Sequence, residues 1–198
     1  MLKTEEIKSH LLPGHVYRRA DLERWSNAVD RHLRELQKEG TLAKLSGGLY
    51  YCPKKTIFGD APAQEDALIA AFLKDNRFLI SSPNAYNGLG VGTTQLYNET
   101  VVYNHKRHGR FKLGGRVFDF RIKPHFPTGL SEEFLLVDLV NNLERLAEDS
   151  EAVLARVRRK ALTMKAKAFK QAVRQYGGVR ARKVFAEALG DDTLRYAS

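Results

Sequence analysis

Cysteine is nearly absent: Cys52 is the single one in 198 residues. An intramolecular disulfide is therefore impossible, a Cys-based zinc site is excluded, and a reducing cytoplasm is the expected compartment. Long apolar runs are missing too. No stretch approaches the roughly 18 consecutive apolar residues of a spanning helix, and MLKTEEIKSHLL carries charges where a secretory signal needs an apolar segment, so no membrane partner is expected. Acids are absent from one long tract, 152–186, which holds eleven Lys and Arg. Over the whole chain 33 Lys and Arg stand against 23 Asp and Glu, a net charge of +10, which favours a polyanionic partner such as nucleic acid. The hydrophobic fraction of 43% can supply a core, in one generous domain or two small ones.

The patterns of common catalytic sites are also lacking. GLGVGTT (88–94) is rich in glycine, but no Lys-Ser or Lys-Thr follows it as a P-loop requires, and it makes no G-x-G-x-x-G. In GGRVFDF two glycines precede Asp119, yet residue 121 is Arg where a metal-dependent nucleotidyltransferase would need a further carboxylate. His105, His108 and His125 lack an added Cys, Asp or Glu at ligand spacing, and there is no G-x-S-x-G. No catalytic residues, cofactor or metal are expected.

What is present begins with helical periodicity. TEEIKSHLL puts Ile7, Leu11 and Leu12 on one face before Pro13-Gly14, and residues 19–25 read as a short second helix with Trp25 as a core anchor. A third helix follows Ser26 or Asn27, both good N-cap types, and runs to Gly40. Its Val29, Leu33 and Leu36 share one stripe by i, i+4, i+7 spacing. At about 100° per residue, Asn27, Arg31, Arg34 and Lys38 fall in one line away from that stripe. TLAKL and LYYC then read as strands joined at Ser46-Gly47-Gly48. Pro53 closes the unit, and GDAPAQED (59–66) has a linker's composition.

Three helices followed by a glycine hairpin suit DNA. A helix fits the major groove, and a basic hairpin beside it can touch phosphate. The candidate contacts are Asn27, Arg31, Arg34, Lys38, Lys44, Ser46 and Arg19, with the arginines suited to guanine, Asn27 to adenine, and the lysines to phosphate. Asn27 has a competing role as an N-cap, and the whole line could equally be the solvated face of an amphipathic helix.

Residues 64–127 read as mixed, with a helix from Gln64 to Lys74 and strands at RFLISS, TVVYN, GRFKL and RVFDFRI. From Asn104 to Lys123 bases alternate with Phe111, Phe118 and Phe120, a pattern open to stacking on unpaired bases but more simply a strand with one buried face. Residues 131–198 read as helical, acidic up to Glu151 and basic after it. Arg156, Lys160, Lys167, Lys170 and Arg174 fall within an arc of roughly 80° on a helical wheel, one basic stripe on one helix. It could pair with the preceding acids, lie along phosphates, or dock a partner.

The run VYRRADLERWSNAVDRHLRELQKEGTLAKLSGGLYYCPK, followed by ISSPNAYNGLGVGTTQ and RVFDFRIKP, resembles the AbiEi-type antitoxins of bacterial abortive-infection toxin-antitoxin systems. Ala28, Leu33, Leu36, Gly40, Leu42, Gly48, Tyr50 and Pro53 carry its most specific part. The resemblance implies a winged helix that binds operator DNA and represses its own operon. It also implies a second domain opposing a nucleotidyltransferase-like toxin, usually without a stable complex. The expected fold is therefore α+β: a winged helix-turn-helix over 1–58, then a mixed α/β antitoxin domain over 64–198 whose basic, helical extension spans 131–198. A standalone regulator, or an RNA- or protein-binding module using the C-terminal helix, is the alternative.

Overall fold

The structure, a computed structural model, describes residues 3–196. It is α+β, and the chain divides into two compact units, Met1–Arg77 with Arg110–Phe118, and Phe78–Gly109 with Asp119–Ser198.

The first unit opens with α1 (Lys3–His10), β1 (Val16–Arg18) and α2 (Arg19–Leu22), which tightens into a 3₁₀ turn at Glu23–Trp25. Then come α3 (Val29–Lys38), β2 (Ala43–Ser46) and β3 (Leu49–Tyr51). The three strands form an antiparallel sheet in the order β1-β3-β2. Strand β1 escapes a reading of periodicity because three half-buried residues make no pattern; its pairing with residues 49–51 holds it. The core gathers Ile7, Leu22, Leu33, Leu36 and Leu42, all but sealed from water. Each such side chain contributes roughly 1.5–3 kcal/mol on burial. Trp25 is half-buried: it packs against this core, and its ring stacks on His10 at 4.5 Å.

Helix α3 ends as its sequence implies: Gly40 takes φ +74°, and the Thr41 and Leu42 N–H groups turn back to the Leu36 carbonyl. Its start differs from expectation. The N-cap position is Ala28, without a side-chain cap, while Ser26 Oγ accepts the Ala28 N–H at 3.1 Å, two residues too early to cap the helix.

Residues 59–66, read as a linker, hold instead the second strand of a hairpin, β4 (Lys54–Thr56) with β5 (Gly59–Ala61), and the start of α4 (Glu65–Leu73). The hairpin is carried by backbone pairing and turns no apolar face inward, so its composition resembles a loop. Helix α4 buries Leu68, Ile69 and Leu73 and packs against β1, which places residues 64–77 with the first unit.

The second unit is built on β6 (Phe78–Ser81), a 3₁₀ segment Pro83–Leu89, β7 (Thr100–Asn104), β8 (Gly109–Leu113) and β9 (Arg116–Ile122), in the order β6-β7-β9-β8. The turn end of the β8–β9 hairpin, 110–118, groups with the first unit. Four helices follow: α5 (Glu132–Asn142), α6 (Ser150–Thr163), α7 (Ala166–Tyr176) and α8 (Val179–Leu189). Leu136, Val137, Leu139 and Val140 are all fully buried, so α5 is sheathed by its neighbours, α7 and α8 among them.

The single basic helix expected over 156–174 is two helices. Met164 and Lys165 leave the helical region, with ψ 160° and 105°, and Thr163 Oγ1 donates to the Lys160 carbonyl at 2.8 Å. A side-chain bond of that kind competes with the helix ladder at its end.

Candidate nucleic-acid interface

Burying Val29, Leu33 and Leu36 forces the opposite side of α3 outward, and Asn27, Arg31, Arg34 and Lys38 are all exposed. Among the described residues no close ion pair holds Arg34 or Lys38, although the Arg34 charge helps to lower the Asp30 carboxyl. Arg31 is held from two sides. Its guanidinium approaches Glu35 at 3.9 Å, and Nη2 donates to Nε2 of His32 at 3.2 Å. Because a guanidinium has no acceptor, Nε2 of that imidazole must be the bare nitrogen, so the proton sits on Nδ1 and is donated to Ser26 Oγ at 2.6 Å. His32 is buried, and no periodicity would have nominated it: it lies beside the apolar stripe and earns its place through Ser26, six residues away.

The other candidates divide. Lys44 is exposed on β2 opposite Tyr50, next to an irregularity in the strand pairing between Lys44 and Ser46. Ser46 is half-buried and pairs with Leu49 across the Gly47-Gly48 turn, where Gly48 adopts φ +71°. Arg19 is engaged within the protein: its guanidinium forks onto Asp30 at 2.7 and 2.8 Å and meets Glu23 at 3.3 Å. That partnership holds the Asp30 carboxyl below its usual range. The Arg19 backbone N–H donates to the Gly48 carbonyl at 2.8 Å, which ties the start of α2 to the hairpin turn. Beside α3 lies an open depression of about 510 Å³ lined by Arg19, Glu23, Arg24, Asn27, Asp30 and Arg31, among others.

The C-terminal candidates are not one surface feature. Lys160 pairs with Glu132 at 3.4 Å, Lys170 with Asp191 at 2.7 Å, and Arg174 donates to Thr193 at 3.4 Å. Arg156 lies over the backbone of Gly92, which takes φ +85° and could not carry a Cβ without colliding with that guanidinium. Lys167 remains exposed. The Lys170 bond gives a checkable consequence. With the Thr193 hydroxyl, it lowers the Asp191 carboxyl to about 2. Asp191 therefore contributes stability fully above its ordinary range and loses it as pH falls toward about 2. A carboxyl NMR titration should place its midpoint near that value, and Lys170→Ala should raise it, with the Thr193 hydroxyl and N–H still holding it below the ordinary range.

GLGVGTT binds a carboxylate of its own chain, since the Thr94 and Gln95 N–H groups both donate to Glu148 Oε1 at 3.1 Å. Phe118 and Phe120 are buried, but so are Asp119 and Arg121, so both faces of the strand are covered over 118–121 and not the single face expected. Asp119 pairs with Arg121 at 2.7 Å, and His105 stacks on Phe126 at 4.7 Å.

A buried polar cluster in the second unit was not visible in the sequence. Asp138 is 0% exposed; its Oδ2 accepts from Tyr86 at 2.8 Å and Tyr103 at 2.7 Å, and its Oδ1 accepts from Lys123 at 2.7 Å. Asn142 donates to both tyrosine hydroxyls and accepts from Arg121. Burial first, then the Asp138 charge, pushes both phenols up. The adjoining cavity is only about 10 Å³. With its main partners satisfied and no room for a ligand, the cluster is a structural tie among β7, β9 and α5.

No protein-family model and no curated protein matches the chain. The fold is similar to that of the crystal structure of the RV2827C protein from Mycobacterium tuberculosis, with a TM-score of 0.55 at 13% identity, covering 100% of this chain and 82% of that one. Among the described residues no helix is long and apolar enough to cross a membrane.

Proposed function

We propose that this protein is a DNA-binding transcriptional repressor whose N-terminal unit is a winged helix-turn-helix, autoregulating an operon in which it is the antitoxin. The observation that carries the DNA reading is α3: one side packed on the core, the other a line of Asn27, Arg31, Arg34 and Lys38. The order helix, strand, helix, helix, strand, strand and the β1-β3-β2 sheet support the winged form. At ten residues, roughly 15 Å, α3 can lie in the major groove with its N-terminal half at the base edges. The net charge of +10 attracts the duplex over a distance. Lys44, on the strand leading into the Gly47-Gly48 turn, meets phosphate.

The antitoxin part rests on the resemblance carried by ISSPNAYNGLGVGTTQ and RVFDFRIKP, with a nucleotidyltransferase-like toxin as the functional partner and no stable complex required. It is tested by co-expression with the toxin encoded beside it, growth rescue being the expected result. Removing the chain beyond Ser150 is a poor probe, because it would strip α5 of the helices that cover it. Reversing the charge of exposed Lys167 leaves that packing intact.

Titration of the full chain onto a duplex from immediately upstream of its own coding sequence, against random DNA, tests the repressor reading. Tight, salt-sensitive and selective binding is expected, and affinity equal on both duplexes would overturn it. Lys44→Ala should weaken binding evenly on both and reduce the salt slope by about one unit. An unchanged slope would remove Lys44 from the interface.

A further inference from the structure

The hairpin of β4 and β5 ends in Ile57 and Phe58, which are 93% and 95% exposed. A built turn holds them there. Thr56 Oγ1 accepts the Phe58 N–H at 3.2 Å and donates to the Gly59 carbonyl at 2.7 Å, while Gly59 takes φ +104°, a conformation that side-chain-bearing residues rarely adopt. Strand pairing fixes the base of the tip, Thr56 against Gly59 and Lys54 against Ala61, and Tyr51 Oη donates to the Ala61 carbonyl at 2.8 Å. Two large apolar side chains are thus kept in water on a short, well-tied arm.

The hairpin that carries the tip has more bases than acids along the chain. Residues 40–64 contain Lys44, Lys54 and Lys55 against one acid, Asp60, and that acid is taken by Lys55 at 2.7 Å. Lys54 is exposed with no acidic partner among the described residues. The arm also has a defined relation to the Gly47-Gly48 turn: strand β3 begins after that turn and, three residues or roughly 10 Å later, leads through Cys52 and Pro53 into β4. One short strand therefore carries the glycine turn at one end, leads to the apolar tip at the other, and pairs with exposed Lys44 between them.

We propose that Ile57 and Phe58 form a wedge inserted between base steps of duplex DNA from the minor groove, with Lys54 on the flanking phosphate; this deepens the DNA-binding reading and rests on it. The groove, roughly 6 Å wide and 7.5 Å deep, admits a two-residue tip. Apolar side chains flanked by bases are the chemistry that unstacks a step and kinks the duplex. A second copy of the chain is the weaker occupant. A stable interface needs about 800 Å² per partner, and two side chains expose well under that.

The test uses the full chain, a random-sequence duplex of about 30 base pairs with 2-aminopurine at a central TA step, and dyes at both ends to report bending. Wild type should raise 2-aminopurine fluorescence and end-to-end energy transfer. Ile57→Ser with Phe58→Ser should still bind, weaker by about tenfold, and raise neither signal. The melting temperature should stay unchanged, since both side chains already face water. Binding by wild type with neither signal, or equal signals from the double variant, overturns the wedge and leaves DNA binding standing. Failure of wild type to bind both this duplex and the one from immediately upstream of its own coding sequence overturns both readings. Loss of a wild-type dimer in the double variant, by sedimentation with bending unchanged, assigns the tip to a copy contact and overturns the wedge.

Discussion

Asp138→Ala should lower the unfolding free energy by about 3–4 kcal/mol, a large share of the 5–15 kcal/mol typical of a folded domain. The carboxylate neutralises Lys123 and accepts from two buried phenols, so its removal leaves three donors without their acceptor. Lys123 is partly exposed and can recover some hydration, which keeps the cost below the upper end for a buried pair. Tyr86 and Tyr103 cannot turn to solvent. Asp138→Asn should cost less, because its amide oxygen can still accept one phenol. Urea unfolding of both variants checks this, and a loss under 1 kcal/mol for alanine would mean that water replaces the carboxylate. DNA affinity measured below the unfolding transition should be unaffected if the cluster only supports the fold.

Under the proposed DNA reading, in which this guanidinium forks onto guanine, Arg34→Ala should cost roughly 1–3 kcal/mol on the operator and little on random DNA, because both base contacts go at once. Arg31→Ala should cost a similar amount, with one difference. Arg31 is positioned by His32, which is itself fixed by Ser26, whereas Arg34 has no such support. His32→Leu should therefore reproduce part of the Arg31 loss in operator selectivity while leaving that of Arg34 untouched, and Ser26→Ala should do the same more weakly. Anisotropy titrations on both duplexes decide this. Equal losses on operator and random DNA would mean that the arginines touch phosphate only.

The parts of this molecule legible in its sequence are those whose causes are local. Gly40 stops α3, Gly48 turns the hairpin, and the spacing of Val29, Leu33 and Leu36 decides which side of the helix faces out; each acts within a few residues. The parts that were hidden depend on partners distant in the chain. Strand β1 exists because residues 49–51 pair with it, and Arg19, a candidate contact, is engaged by Asp30, eleven residues on. Lys160 and Lys170 looked like members of one stripe until Glu132 and Asp191 claimed them. Asp138, on the acidic side of the charge divide, is a buried acceptor because tyrosines from two other segments converge on it.

The pairing of Arg18 with Leu49 and the hydrogen bond from Arg19 N–H to the Gly48 carbonyl tie the hairpin turn to the start of α2 and fix the gap between them. A jointed arm could swing to follow a wide or narrow groove; a fixed gap cannot. Under the DNA reading, any mismatch in groove spacing must be absorbed by the duplex. Sequences that deform easily would then be preferred even at base pairs no side chain reaches.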